Sequence, residues 1–220
     1  MKDFMVIDFE TLKTTPDAVI LAFGAYFVSL KDGIPDYEEI IKNGFYRTFD
    51  TRSQIEEGRK IGKDTLEWWK SQSVEAQRIL LESDDDIKLP EFLADFREYI
   101  DNNSNNSEFW IFARSPSFDY SILDNIRGQY NEPEYWKFWN EKDTRTFIDA
   151  MLMNLPISEK FNKFHLPSDL CPNEVVEHNA LHDVALDVKR LHLLLEVWAK
   201  TQYERTAQDM TIDEAAKLII

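Results

Sequence analysis

Cysteine is almost absent from this chain of 220 residues, which contains only Cys171. A single thiol cannot form an internal disulfide and fits a reducing compartment, so we expect a cytoplasmic location and no disulfide-linked partner. Cysteine pairs with C-x-x-C spacing are missing too, which argues against a structural zinc site. Long apolar runs are also lacking, and the apolar run near the N-terminus is too short for a signal peptide. We therefore expect no membrane segment and no membrane partner.

Basic residues are scarce relative to acidic ones. The chain has 25 Lys and Arg against 41 Asp and Glu, which gives a formal net charge of −16. This balance argues against broad electrostatic binding to nucleic acid or to an anionic membrane. It does not exclude an enzyme that binds nucleic acid through cations held in its site and through base stacking.

The residues that are present can form a sizeable core, since 43% are hydrophobic and 13% are aromatic. We expect a single domain over residues 1–220, with its core at about 4–200 and a last short helix at 211–218. Periodicity and turn signals predict an α/β fold with a mixed sheet that opens with an antiparallel meander. The predicted strands are 4–12, 18–30, 44–49 and 109–113, and the predicted helices are 63–82 with caps at Asp64 and Ser73, 90–100, a helix from 115, and 179–200.

The first predicted strand ends in two acidic residues. Four apolar residues lead into Asp8-Phe9-Glu10-Thr11. Because side chains alternate along a strand, Asp8 and Glu10 project from the same face, within about 7 Å of each other. A divalent cation keeps both ionised, and oxygen ligands suit Mg²⁺ or Mn²⁺. The alternative is a strand that simply ends in a solvated acidic turn.

Two further acidic positions follow apolar elements. Asp119 comes after the predicted strand 109–113, where open α/β sheets usually place their sites, although it could instead cap its helix. Asp183 lies five residues after His178, at the start of an amphipathic helix. Four carboxylates and one histidine satisfy the requirements of two-metal phosphodiester hydrolysis, in which a histidine accepts the proton of the attacking water.

The histidine can be read in two frames, since His182 and Asp187 are also five residues apart. Five residues of regular helix rotate a side chain by about 140°, so the histidine must precede the helix if both groups serve one site. His178 meets this condition because Asn179 is a good N-cap. His182 already lies on the first helical turn.

These motifs, taken in order, resemble the DEDDh exonucleases. The patterns are Asp-x-Glu, Phe-Asp and His-x-Ala-x-x-Asp, and residues 65–76, 117–123 and 137–146 look like the phage exodeoxyribonuclease A group. The resemblance spans about residues 4–195. It implies a ribonuclease H-like fold, a five-stranded mixed sheet with helices on both faces. It also implies removal of nucleotides from 3′ ends with two Mg²⁺ or Mn²⁺ ions. Asp8, Glu10, Asp119 and Asp183 would then be the metal ligands and His178 the general base.

Candidate substrate contacts follow partly from the resemblance and partly from residue chemistry. In similar enzymes the residues after the Asp-x-Glu motif touch the terminal nucleotide, which points to Thr11 and Leu12. Trp68 and Trp69 could stack on a base, although adjacent tryptophans on a helix face different ways and one of them is then core. Phe118, beside Asp119, is a further candidate.

Two arginines complete the set. Arg114 and Arg145 could hold phosphate, and surface ion pairs with neighbouring acids are the alternative. Acidic Glu174 and Glu177 precede His178 and should repel phosphate.

We expect a 3′–5′ exonuclease that releases nucleoside 5′-monophosphates from single-stranded DNA, in the host cytoplasm if the chain is phage-encoded. An exoribonuclease is the first alternative, and a non-catalytic acidic partner-binding protein is the second.

Overall fold

The structure is a computed structural model that describes residues 3–30, 33, 35–104, 108–153 and 175–209, with side chains as far as Ala199. The loop expected at 155–174 and the helix expected at 211–218 lie outside the described residues. None of the helices in the described part combines the length and apolar character that a bilayer-spanning segment requires.

Five strands form one mixed sheet. They are β1 (Phe4–Thr11), β2 (Ile20–Val28), β3 (Phe45–Thr48), β4 (Trp110–Ala113) and β5 (Glu141–Asp143). Their order across the sheet is β3-β2-β1-β4-β5. β1 runs antiparallel to β2, as β2 does to β3, whereas β4 is parallel to both β1 and β5. The predicted mixed five-stranded sheet and its antiparallel start are confirmed.

Eight α-helices occupy the described residues. They are α1 (Tyr37–Asn43), α2 (Thr51–Glu56), α3 (Lys63–Lys70), α4 (Val74–Gln77), α5 (Leu89–Ser104), α6 (Pro116–Tyr130), α7 (Thr144–Leu152) and α8 (Ala180–Asp209), with short 3₁₀ helices at Arg78–Leu80 and Phe138–Asn140.

Two expectations about local structure were wrong. The chain does not pass directly from β2 to β3, because α1 lies between them and buries Ile40. Asp64 does not cap α3, whose N-cap position is Gly62, and Asp64 lies in the first helical turn. Ser73 does cap α4, since its side chain accepts the Ala76 N–H.

Helices cover both faces of the sheet. Met5, Ile7 and Phe9 of β1 pack on one face in a cluster that includes Phe92 and Phe96 of α5. Phe4 and Val6 pack on the other face, in a cluster that includes residues of α1, α7 and α8. Burying each large apolar side chain contributes about 1.5–3 kcal/mol to the free energy of folding. Because the period of a strand is two, Asp8 and Glu10 lie on the face that α8 covers.

Gly24 of β2 brings the start of α8 against this face. A Cβ atom at Gly24 would lie 2.6 Å from the carbonyl carbon of Ala180 and 2.7 Å from the Leu181 nitrogen. Gly24 pairs with Asp8 in the neighbouring strand. The absence of a side chain at this point therefore lets the N-terminus of α8 reach the acidic end of β1.

Candidate active site

Asp8 and Glu10 form the strand-borne part of the site. Both lie near the carboxyl end of β1, at the same edge of the sheet as the end of parallel β4. Burial raises the pKa of Asp8 well above its usual value, and the nearby carboxylates of Glu10 and Asp119 raise it further. Burial also raises the pKa of Glu10, with an added contribution from Asp183. Such repulsion identifies a place where negative charge needs a counter-ion.

Asp119 joins these residues from α6. Its side chain is 1% exposed, and its Oδ1 accepts the N–H of Phe9 at 3.1 Å. Burial raises the pKa of Asp119 to about 7, against the opposing effect of the backbone N–H groups that it accepts. The N-cap position of α6 is Ser115, so Asp119 does not serve as the cap but reaches the strand that carries Asp8 and Glu10.

His178 and Asp183 approach from the start of α8. Asn179 caps this helix, because its Oδ1 accepts the N–H groups of Leu181 at 3.1 Å and His182 at 3.2 Å. His178 precedes the helix with a left-handed φ of 63°. Glu10, His178 and Asp183 each contribute one possible metal-ligand atom, and these three atoms lie within 4.8 Å of one another. The expected start of α8 and its cap at Asn179 are confirmed. Of the two possible histidine–aspartate pairs, the predicted pair of His178 and Asp183 is the one that lies beside Glu10.

The donor set fits divalent cations. Burial, together with the charge of neighbouring Asp187, raises the pKa of Asp183 to about 7. Four carboxylates in one partly desolvated site repel each other, and a cation removes that repulsion. Carboxylate oxygens are ligands that Mg²⁺ and Mn²⁺ prefer. Asp8, Glu10, Asp119 and Asp183 could therefore hold such ions.

His178 has a half-buried imidazole with a lowered pKa. Burial lowers its pKa, and Glu177 opposes that shift, so the imidazole is neutral at pH 7. Its ring contacts the ring of Trp68, with centroids 4.7 Å apart. Within the described part of the chain, no hydrogen bond to the His178 ring is formed. A free ring nitrogen beside the carboxylates can accept a proton.

The two tryptophans have different environments. Trp69 is fully buried, and its Nε1–H donates to the Thr11 carbonyl at 2.9 Å. Trp68 is 42% exposed. Thr11 is buried and donates its hydroxyl to the Lys13 carbonyl, while Leu12 packs with Trp69 in a small apolar cluster. Trp69 is therefore a core residue, as expected for one of the two tryptophans. Among the four predicted contacts Thr11, Leu12, Trp68 and Trp69, only Trp68 has a solvent-exposed side chain.

Arg114 forms a buried ion pair. Its Nε and Nη2 donate to the Asp187 carboxylate at 2.7–3.1 Å, and Arg190 donates to the same group at 2.6 Å. The Arg114 side chain is only 13% exposed. This arrangement favours the ion-pair alternative, although the pair is buried and not at the surface. A role for Arg114 in phosphate binding stays a prediction.

Arg145 and Phe118 lie close to Asp119. Arg145 is exposed, and its Nη1 donates to the Arg114 carbonyl and to Ser115 Oγ, each at 2.6 Å. The charge of Arg145 also lowers the pKa of Asp119. Phe118 is partly buried against the core of the sheet. Of the two predicted arginines, Arg145 is the one that presents an accessible guanidinium beside the site.

Comparison with known proteins gives a family match over most of the chain. The sequence model described as the 3′-5′ exoribonuclease Rv2179c-like domain matches residues 3–195. The chain belongs to this family. It is also 32% identical over 205 residues to the exodeoxyribonuclease of Enterobacteria phage T4, with 86% of each protein covered. These matches confirm the resemblance to 3′–5′ exonucleases and to the phage exodeoxyribonucleases. They show that the chain is a nuclease.

A solved structure supports the fold. Cell-death related nuclease 4 (CRN-4) superposes with a TM-score of 0.55 at 17% identity, over 89% of this chain and 64% of that one. The chain thus spans about two thirds of the length of CRN-4, and the likeness concerns the fold alone. The nuclease domain of 3′hExo, a DEDDh family member bound to rAMP, gives a TM-score of 0.49 at 14% identity.

In this member of the Rv2179c-like family, a groove of about 720 Å³ opens beside His178. Its lining includes Tyr46, Thr48, Arg78, Ile79 and Asn179. Burial, with a contribution from Glu10, raises the pKa of Tyr46 to about 12, which places this phenol close to the acidic site. Acidic Glu75 and Asp85 also line the groove, so its charge is mixed. No motif in the sequence pointed to Tyr46.

Asp187 is a fifth acid near the site, which the sequence analysis considered only as the partner of His182 in the rejected frame. Its charge raises the pKa of both Asp8 and Asp183. The available signal was its position four residues after Asp183, which places both on the same side of a helix. Arg190, three residues after Asp187 on the same helix, carries a similar local signal. Arg114 is 73 residues away from Asp187 along the chain, so that pair was not predictable in this way.

Proposed function

We propose that this chain is a 3′–5′ exonuclease that releases nucleoside 5′-monophosphates from single-stranded DNA. The observation that carries the proposal is the convergence of Glu10, His178 and Asp183, whose ligand atoms lie within 4.8 Å of one another. Two further observations support it: the charge of Asp119 raises the pKa of Asp8, and Asp119 accepts the N–H of Phe9, the residue between Asp8 and Glu10. The name of the phage T4 relative, an exodeoxyribonuclease, supports DNA as the substrate.

The four carboxylates of Asp8, Glu10, Asp119 and Asp183 would hold two Mg²⁺ or Mn²⁺ ions. When bound, such ions supply charge stabilisation at the phosphate and lower the pKa of the attacking water. The protein holds these carboxylates at the end of one strand, β1, and in the first turns of two helices, α6 and α8, which are rigid elements. The hydrogen bond from the Phe9 N–H orients the Asp119 carboxylate.

His178 would act as the general base. Its lowered pKa keeps the imidazole unprotonated near neutral pH, so that a ring nitrogen can take the proton from the attacking water. A general base of this kind contributes about 100- to 10,000-fold to the rate. Trp68 contacts the imidazole edge-on, with ring centroids 4.7 Å apart.

The substrate strand would enter along the groove beside His178. Exposed Trp68 offers a face on which a base can stack, an interaction worth about 1–3 kcal/mol per base. Exposed Arg145 offers a charge-assisted hydrogen bond to a phosphate. With a net charge of −16, the protein should bind single strands weakly without divalent cations and less well as salt rises.

RNA is the second candidate substrate, because the matching family is described as exoribonuclease. The two candidates differ at the 2′-hydroxyl, which a contact in the site must accept or exclude. We also propose that residues 1–220 form one exonuclease domain.

The test uses single-stranded DNA and RNA of the same sequence, each labelled at the 5′ end and incubated with Mg²⁺, Mn²⁺ or EDTA. We expect a ladder that shortens from the 3′ end, faster on DNA, and none in EDTA. His178→Ala should lose about 100- to 10,000-fold in turnover while still binding metal in a calorimetric titration. Cleavage in EDTA, or an unaffected His178 variant, would contradict the mechanism; faster RNA cleavage would select the second candidate.

A further inference from the structure

The imidazole of His178 is held through its backbone. No hydrogen bond reaches its ring within the described residues, and its ring contacts are with Trp68 and Trp69. Its φ of 63° is a left-handed value that residues with a side chain adopt uncommonly and at some cost in free energy. The segments on both sides of His178 must therefore be anchored if its ring is to stay beside Glu10 and Asp183.

The downstream anchor is the capped start of α8. Asn179 accepts two backbone N–H groups of the first helical turn. Its amide nitrogen also donates to the Tyr46 hydroxyl at 3.4 Å. Close packing of Ala180 on Gly24 fixes the same turn against the sheet. These contacts hold the chain immediately after His178.

The upstream anchor is the side chain of His182. The Val176 N–H donates to His182 Nδ1 at 3.2 Å, across six residues of chain. The Tyr37 hydroxyl lies 2.8 Å from the same nitrogen, and the two rings are in edge contact. Because an N–H can only donate, Nδ1 must be the acceptor, and the neutral ring carries its proton on Nε2. The Tyr37 O–H then donates to Nδ1 as well, so that the two donors share the one lone pair of this nitrogen.

We propose that His182, oriented by Tyr37, is a positioning residue that anchors the segment carrying the catalytic His178. The inference rests on the proposed function, in which His178 is the general base. His182 does not touch the reacting atoms; it closes the turn from Val176 to the first turn of α8. Loss of that bond frees the upstream end of His178, and a displacement of about 1 Å can cost about 100-fold in rate.

Three variants distinguish a positioning role of His182 from a role in which its side chain only fills space. His182→Leu keeps an apolar side chain of similar size but has no acceptor. His182→Asn places a carbonyl oxygen close to the position of Nδ1. Tyr37→Phe removes only the hydroxyl that orients the ring. We expect His182→Leu to lower kcat by about 10- to 100-fold with KM nearly unchanged, His182→Asn to restore most of the loss, and Tyr37→Phe to cost a few-fold.

A double variant shows whether His182 acts through His178. If it does, His178→Ala combined with His182→Leu should be no less active than His178→Ala alone. Metal affinity measured by calorimetry should be unchanged in His182→Leu, which excludes an effect on neighbouring Asp183. Additive losses, or weakened metal binding, would overturn the positioning role.

Amide exchange of Val176, measured by NMR, reads the anchor without any assay of activity. The Val176 N–H should exchange at least about tenfold faster in His182→Leu than in the wild type, and His182→Asn should retain the protection. Unchanged exchange or unchanged kcat in His182→Leu would overturn the inference. A wild-type protein that cleaves neither DNA nor RNA would instead overturn the proposed function, while the exchange experiment would still report on the anchor.

Discussion

The N–H of Phe9 donates to Oδ1 of Asp119 at 3.1 Å, and this bond joins the first turns of α6 to β1 between Asp8 and Glu10. The two residues are 110 positions apart in the chain. Asp119 therefore has two roles, as a backbone acceptor that holds α6 on the sheet and as a carboxylate of the candidate metal site. A substitution that separates the two roles tests each of them.

Asp119→Asn is that substitution, because an amide oxygen can still accept the Phe9 N–H while the negative charge is lost. We expect cleavage to fall by at least about 100-fold, since a metal ligand is weakened. In EDTA the melting temperature should stay the same or rise, because repulsion among the carboxylates decreases. Asp119→Ala, which also removes the acceptor, should melt below Asp119→Asn. Substantial cleavage by either variant would contradict the metal site.

The stability of the metal-free protein should depend on pH in an unusual direction. In the folded protein the pKa of Asp119 and that of Asp183 are raised to about 7, from 3.8. Folded protein therefore binds more protons than unfolded protein between these values, so the stabilisation is present at low pH and is lost as pH rises through about 7. The free energy of unfolding in EDTA should fall by on the order of a few kcal/mol between pH 5 and pH 8.

Urea denaturation at a series of pH values measures this effect. Asp183→Asn removes one of the two titrating groups and should flatten the profile. Saturating Mg²⁺ should stabilise the protein most at pH 8, where the carboxylates are ionised and bind the cation best. An EDTA profile that rises steadily to pH 8 would mean that the acids are already ionised without metal.

Local rules were sufficient for part of the site and not for the rest. The pairing of Asp8 with Glu10 follows from strand alternation, and the start of α8 follows from the capping preference of Asn179. Both depend on neighbours in the chain. The ion pair of Arg114 with Asp187 depends on where two distant elements pack, which no local pattern contains. Helix α1 was missed for a different reason, because its seven residues are too few to give a clear helical periodicity.

The two predicted phosphate-binding arginines should respond differently to substitution. Arg145→Ala removes an exposed guanidinium, so we expect KM to rise by about tenfold with little change in stability. Arg114→Met breaks a buried ion pair and leaves Asp187 with Arg190 alone, which should lower the free energy of unfolding by about 3 kcal/mol. Chemical denaturation and steady-state kinetics on both variants give the comparison. A large stability loss in the Arg145 variant, with none in the Arg114 variant, would reverse the assignment.

Close packing of α8 on the sheet makes Gly24 a position where an added side chain would displace the start of that helix. A methyl group there would lie 2.6 Å from the Ala180 backbone, which has no flexible side chain to move aside. Gly24→Ala should therefore push the start of α8 away from β1, which costs about 1–3 kcal/mol of stability. Because His178 and Asp183 move with that helix, kcat should fall by about 10- to 100-fold.

Gly128→Ala is the matched control for this substitution. Gly128 lies in α6, and a Cβ added there meets nothing within 4 Å. Alanine in a helix interior is favoured over glycine by about 0.5–1 kcal/mol, so this variant should melt a few degrees above the wild type with unchanged activity. Thermal denaturation and cleavage rates of both variants make the test. If Gly24→Ala behaves like Gly128→Ala, the start of α8 does not press on β2, and the placement of His178 depends on contacts other than this one.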